Sequence, residues 1–293
     1  MIKKHAYLVL AHNNFYNLKK LLLMLDDERN DIYIHIDKKV KQFDFDGYRK
    51  LCNRATVQYT RRINVRWGHQ SLVLAELELF DLAYKNGPYH YYHLISGADL
   101  PLKSQNYIHD FFLDKSECYL HQSPTTSKWD RQRMSIFHLV VRPRNGFEEK
   151  IRDWVNQIQL RLRIDRLRKC PMTIIKGWEW GSLPHTAVQI LVSHRREISR
   201  FTKHTLCSDE VYKQTLISHY GGTLSENDQH LIRWDITNSN HPLTFQNEDF
   251  ALLCCTPHLF ARKFDERVDK QIIDMIFDHV MQQDKTDYKL AKE

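Results

Sequence analysis

The sequence predicts an α/β domain in three layers, with helices on both faces of a mostly parallel sheet. Two patterns predict it. Over the first 115 residues, apolar runs of strand length alternate with segments whose apolar residues recur at helical spacing. One such run, within His90–Ser104 (HYYHLISGADLPLKS), stops in a polar turn carrying Asp99. Open α/β sheets present their chemistry in this way, outside the carboxyl ends of their strands. Composition agrees: 293 residues, 42% of them hydrophobic, suffice for a sizeable core, and 9 Gly with 8 Pro leave little room for linkers.

In chain order, Ala6–Ala11 (AYLVLA) is a first buried strand. Asn13 or Asn14 can cap the next helix, whose Phe15, Leu18, Leu21, Leu22 and Leu25 share a face. Ile32–Ile36 alternates like a second strand and ends in Asp37-Lys38-Lys39; Thr56–Thr60 is a weaker third. Gln70–Tyr84 is a helix striped by Val73, Leu77, Phe80 and Tyr84. The strand at 90–95 follows, broken by Ser96 and Gly97, and Ser104 caps a helix over Tyr107–Phe112.

The second half is less regular. Ile151–Lys169 is amphipathic and strongly basic. As a structural helix it turns Trp154, Ile158, Leu162 and Leu167 inward; as a docking surface its arginines meet anionic lipid headgroups. A Trp-rich turn at Gly177–Ser182 precedes a helix over Pro184–Phe201. Ser208 opens a helix over Glu210–His219, and Leu231–Thr237 is a strand. Another helix lies near Gln246–Cys255, and a last one runs through Ile272, Ile273, Ile276 and Val280, with Lys285–Glu293 frayed. No composition shift marks a boundary, so 1–293 is expected to form one domain.

The net charge of +7 points to a polyanionic partner: nucleic acid, an anionic membrane surface or a phosphate-rich substrate. A nucleic-acid-binding module is one reading, but no such motif is present and the basic residues cluster only at 142–169. Six Cys without a CxxC spacing argue against a zinc site and a disulfide framework, and for reduced thiols in the cytoplasm. The opening apolar run is too short for a signal-peptide core, and no window reaches membrane-spanning length. P-loop, GxSxG and GxGxxG motifs are absent.

Seven segments in order resemble the core-2/I-branching family of glycosyltransferases, which includes the peptide O-xylosyltransferases. They are AYLVLAH (6–12), IYIHIDKK (32–39), RWGHQSLVLAEL (66–77), HLISGADLPLKS (93–104), GWEWGSL (177–183), CSDEVYKQTLI (207–217) and LFARKFD (259–265). The resemblance implies a GT-A-like fold with a Rossmann-like sheet, in which 1–115 is the nucleotide-binding half and 116–293 the acceptor and catalytic half. It also implies inverting transfer from a UDP-sugar, with UDP-GlcNAc and UDP-xylose as leading donors. The acceptor would be a glycan or a lipid-linked glycan. No cofactor, divalent metal or nucleic acid is expected. The place of work would be the cytoplasm, at the inner face of the membrane if 151–169 docks there.

Inverting transfer needs a base for the acceptor hydroxyl and positive charge on the departing diphosphate. Glu210 matches the family's base, which leaves Asp209 as the structural acid of the first turn; a bland reading makes Glu210 itself a helix-dipole acid. Arg262 and Lys263 match the pair that the xylosyltransferase branch places on the diphosphate, where a fork and a compact charge can replace a metal. The branching enzymes have a second arginine upstream. Counting back from Lys263 instead lands near Asn240 and His241, leaving Arg233 or Lys103 to complete the clamp. Asp37 matches the nucleotide-contacting acid, or else caps its own turn and pairs with Lys38 or Lys39. Leu10 occupies the position whose backbone meets the uracil. Asp99 lies beside the donor or stabilises its own turn. Trp67 and Trp180 stack on a sugar or fill the core. Asp44-Phe45-Asp46 has the letters of a manganese-binding DxD but reads as a loop. A non-catalytic carbohydrate-binding relative is the remaining alternative; retention of Glu210, Arg262 and Lys263 speaks against it.

Overall fold

The chain opens β1 (His5–Ala11), α1 (Phe15–Met24), β2 (Asn30–Ile36), α2 (Phe45–Arg49), β3 (Thr56–Tyr59), α3 (Ser71–Asn86) and β4 (Tyr91–Ser96). This is the expected alternation with one short helix added. The structure is a computed structural model that describes residues 3–235 and 242–290. Every residue of β1, β2 and β4 is buried, polar ones included, because helices cover both faces of a parallel sheet.

There follow β5 (Asp99–Pro101), α4 (Gln105–Phe112), β6 (Tyr119–Leu120), α5 (Lys128–Ser135), α6 (Gly146–Arg161), β7 (Gly181–Pro184), α7 (His185–Ser193) and α8 (Arg195–Phe201). The remainder is α9 (Tyr212–His219), β8 (His230–Ile232), α10 (Phe250–Cys255), β9 (Phe260–Arg262) and α11 (Lys270–Leu290). The main sheet has the order β3-β2-β1-β4-β7-β6, parallel except where β7 runs against β4 and β6. One core packs Val9 and Ile34 against Leu18 and Leu22 of α1, Ile108 and Phe112 of α4 and Ile272 and Ile276 of α11. The other packs Leu8 against Val73, Leu77 and Phe80 of α3, Val188 of α7 and Leu216 of α9. The result is the predicted three-layer α/β architecture.

A second sheet, β5-β9-β8, fixes the site. Asp99 lies opposite Arg262 in the antiparallel β5–β9 pair, and Ile232 lies opposite Arg262 in the parallel β8–β9 pair. The turn expected after β4 is therefore partly a strand.

Other expectations need correcting. Asn14 occupies the N-cap position of α1 in a left-handed conformation, but its side chain donates to the Phe264 carbonyl instead of capping. Asp44 caps α2 and Asp46 pairs with Arg49, so the DxD letters belong to an exposed helix. The basic helix starts at Gly146 and ends at Arg161, eight residues before Lys169. Of its four expected inward residues only Leu167, beyond the helix, is buried, with Met134, Ile174 and Val211; Trp154 and Leu162 stand exposed. The helix over Pro184–Phe201 is two, broken at His194. Ser208–Glu210 is a separate 3-10 turn before α9, so Glu210 is not in that helix. The helix at 246–255 narrows to α10 after a 3-10 turn, and α11 continues to Leu290, past the expected fraying point. The strand expected over 231–237 covers His230–Ile232, and residues 236 and 237, like Asn240 and His241, lie outside the described residues.

Candidate active site

Two adjoining cavities open where β1, β2 and β4 end. The first, about 340 Å³, is lined by Leu10, His12, Asp37, Lys39, Arg142 and Gly97, among others. The second, about 190 Å³, is lined by Asp209, Glu210, Trp178 and Trp234, among others. Trp67, Glu179, Trp180, Arg262 and Lys263 line both. Of the eight residues given a catalytic, donor or sugar role (Leu10, Asp37, Trp67, Asp99, Trp180, Glu210, Arg262 and Lys263), all but one line these cavities.

The exception is Asp99. It is fully buried, and its carboxylate accepts from the Ser96 amide (2.8 Å) and hydroxyl (2.7 Å) and from Arg262 Nη1 (2.9 Å). His230 Nε2 lies 3.7 Å away. Burial alone would raise the Asp99 pKa; Arg262 first, then His230 and Ser96, outweigh it and hold the carboxyl below its ordinary value. Asp99 therefore lines neither cavity and acts on the site through Arg262, whose guanidinium also lies 4.6 Å from the Trp180 ring centre. Burial and then the neighbouring Arg262 push the Lys263 pKa down. An anion between these two cations would reverse the second effect.

Asp37, at the end of β2, is buried and does what the bland reading expects: it accepts from the Lys39 amide (2.8 Å) and pairs with its ammonium (3.4 Å). It also lines the first cavity, so the two roles coexist. The Leu10 carbonyl accepts from the Gly97 amide (2.9 Å), which ties β1 to the loop before β5. Of the cations suggested as a second clamp, Lys103 lines neither cavity and Arg233 is paired with Asp249; Arg142 and Lys39 line the first instead.

Glu210 is held from three sides. Its Oε2 accepts from buried Arg133 (3.0 Å), with Lys176 at 4.0 Å, and its carbonyl accepts from the Gly177 amide (2.8 Å). Only glycine fits at 177, where a Cβ would lie 1.9 Å from the His121 carbonyl oxygen. Cys207, left-handed, donates to the carbonyl of Gly68 (2.8 Å) and so joins the Glu210 turn to the loop bearing Trp67.

Beneath the turn lies a buried charged network. Lys213 Nζ donates to Glu76 (2.6 Å) and to the Asp209 carbonyl (3.0 Å), and the Tyr212 hydroxyl also donates to Glu76 (2.6 Å). Burial, then Glu210 and Glu76, raise the Asp209 pKa to about 7, and its Oδ1 is enclosed without a partner among the described residues. Burial and then Glu76 and Asp209 push Glu179 well above the usual carboxyl range, and its Oε1 is likewise unpartnered. Burial thus favours the neutral form of both carboxyls.

Sequence reasoning missed Arg133, Lys176, Glu179 and His230. Glu179, between two tryptophans, carried a visible signal; the others meet their partners only through the fold. Four of the six tryptophans line the second cavity, with His121 stacked at 3.9 Å on Trp178. Such an aromatic enclosure around a carboxylate suits a sugar. Among the described residues no three His, Cys, Asp or Glu converge as a metal site, and no helix is long and apolar enough to cross a membrane.

A family model, Core-2/I-Branching enzyme, matches residues 5–257, a span that contains Glu210 and ends before Arg262. Among solved structures, the apo form of mouse xyloside xylosyltransferase 1 is similar at 10% identity, covering 88% of this chain and 96% of that one with a TM-score of 0.38. A likeness of that degree has no bearing on function. No curated protein matches the sequence.

Proposed function

The chain belongs to the Core-2/I-Branching enzyme family and is a glycosyltransferase, and on that premise we propose that it transfers a sugar from a UDP-sugar, with inversion and without a divalent metal. The acceptor is a hydroxyl of a glycan or lipid-linked glycan. The observation that carries this reading is that Arg262 and Lys263 line both cavities, while Glu210 lines only the second.

In the reaction, Glu210 takes the proton of the acceptor hydroxyl as that oxygen attacks the anomeric carbon. The bond from the anomeric carbon to the diphosphate breaks, its electron pair leaves on the phosphate oxygen, and Arg262 and Lys263 stabilise the charge that develops there. Arg133 holds the Glu210 carboxylate in place. Asp37 and the end of β1 receive the nucleotide, and Trp67 and Trp180 bracket the sugar between the two cavities. The six free cysteines support a cytoplasmic site of action.

A panel of UDP-sugars, assayed for UDP release with and without EDTA, tests the reading. Release from one donor, UDP-GlcNAc or UDP-xylose first, should be unaffected by the chelator. Inhibition by EDTA would contradict the metal-free mechanism, and silence across the panel would contradict the donor class.

A further inference from the structure

We propose that α6 and the chain on either side of it form a docking surface for an anionic lipid bilayer, which presents the acceptor to the neighbouring cavities. The choice of acceptor rests on the glycosyl-transfer reading; the docking does not.

The helix is amphipathic in the wrong sense for packing. Phe147, Ile151, Trp154 and Leu162 fall on one face, spaced i, i+4, i+7 and i+15, and that face points to solvent. Phe147 is 72%, Trp154 66% and Leu162 68% exposed. The buried residue of the helix is polar: Gln159, whose amide both donates to the Phe137 carbonyl (2.9 Å) and accepts from its N–H (2.8 Å). A hydrogen-bonded clamp thus holds the helix to the body, and the apolar stripe is left without a partner. Of sixteen large apolar side chains standing exposed among the described residues, eight lie between positions 129 and 162. Concentration on that scale marks a binding surface.

Charge identifies the occupant. Between 142 and 169 there are nine Lys and Arg against four acids, a net +5 of the chain's +7. Helical spacing puts Lys150 and Arg161 along one edge of the apolar stripe, and neither is ion-paired among the described residues. Glu149 and Asp153 lie farther round the helix from the stripe, both bridged by Arg152, and Glu148 at the opposite edge accepts from the Arg144 amide (2.8 Å). A second copy of the chain would cover the apolar face only by bringing like charges together. A nucleic acid would suit the charge and leave Phe147 and Trp154 in water. An interface of anionic headgroups over acyl chains suits both. Arg142, four residues before α6, lines the first cavity, so a bilayer seated on the helix lies next to the site.

The test is co-sedimentation of the full chain with vesicles at low salt, using phosphatidylcholine mixed with phosphatidylglycerol, and phosphatidylcholine alone. Wild type should bind the mixed vesicles, and the F147S/W154S double variant roughly tenfold less, while releasing UDP at the wild-type rate. Failure to sediment, equal binding to neutral vesicles or undiminished binding of the variant would each overturn the proposal. So would a dimer of wild type, seen by light scattering, that the variant splits, since a second copy would then cover the face. If wild type binds vesicles but releases no UDP from any donor, the transfer reading fails and the docking stands.

Discussion

The two charged pairs at the site have opposite polarity. On one side the cation Arg262 reaches the cavity, with its side chain 20% exposed, and its partner Asp99 is fully buried. On the other the carboxylate of Glu210 reaches the cavity, 29% exposed, and its partner Arg133 is buried, 5% exposed. Each exposed group has the charge its proposed task requires, and each buried one sets the direction in which it points. The difference teaches that chemistry and orientation are divided between residues, so substitutions on the two levels should fail differently.

The largest effect is expected at the exposed acid. Glu210→Gln should lower the rate of transfer by about 10²–10⁴ while leaving UDP affinity unchanged in calorimetry. Arg262→Ala comes next, with kcat down about 10²–10³ and UDP binding weakened as well. Arg262→Lys should recover only part, since the fork is lost. Arg133→Met removes only orientation, and a loss of roughly 10–100-fold in kcat with an unchanged affinity for UDP would fit that role. If it matches Glu210→Gln in size, the division between levels breaks down.

Two pH experiments sharpen the comparison. At the other end of the sheet His109 is buried, and burial pushes its pKa down to about 4; His35, also buried, is lowered to the same value. The unfolded chain takes up these protons below about pH 6.5 and the fold does not. Stability is therefore full above that value and lost as pH falls, by about 2 kcal/mol for each group at pH 5. Melting at pH 5 and 7.5 reads this without involving either charged pair. Asp209 has the opposite sign: its raised pKa means the fold keeps a proton that the unfolded chain has lost above about pH 4, so its cost grows toward pH 7. Asp209→Asn should raise Tm at pH 8 and not at pH 4, and leave transfer close to wild type. A loss equal to that of Glu210→Gln would reassign the base.

The parallel strands were legible because burial on both faces makes them continuous apolar runs, and Ser104 because an N-cap is local: its hydroxyl accepts from the Tyr107 amide (3.1 Å). The sign of α6 was not legible. A stripe of Phe147, Ile151 and Trp154 has the same period whether it faces a core or solvent, and only the Gln159 clamp decides. The break between Glu210 and α9 was hidden as well, since it falls at Val211, whose backbone leaves the helical region (φ −129°, ψ −40°) without any local sequence signal. Of the site, the groups with motif context were visible. Arg133 was not, because 77 residues separate it from Glu210 and no local pattern marks it.

Arg262 is carried on β9, between β5 and β8, with Asp99 directly across from it. A middle strand cannot swing without unzipping both neighbours. The end of the cleft proposed to hold the diphosphate is therefore its stationary jaw, and any movement that opens the cleft falls to the rim carried on irregular chain, where Trp67 and Arg142 stand.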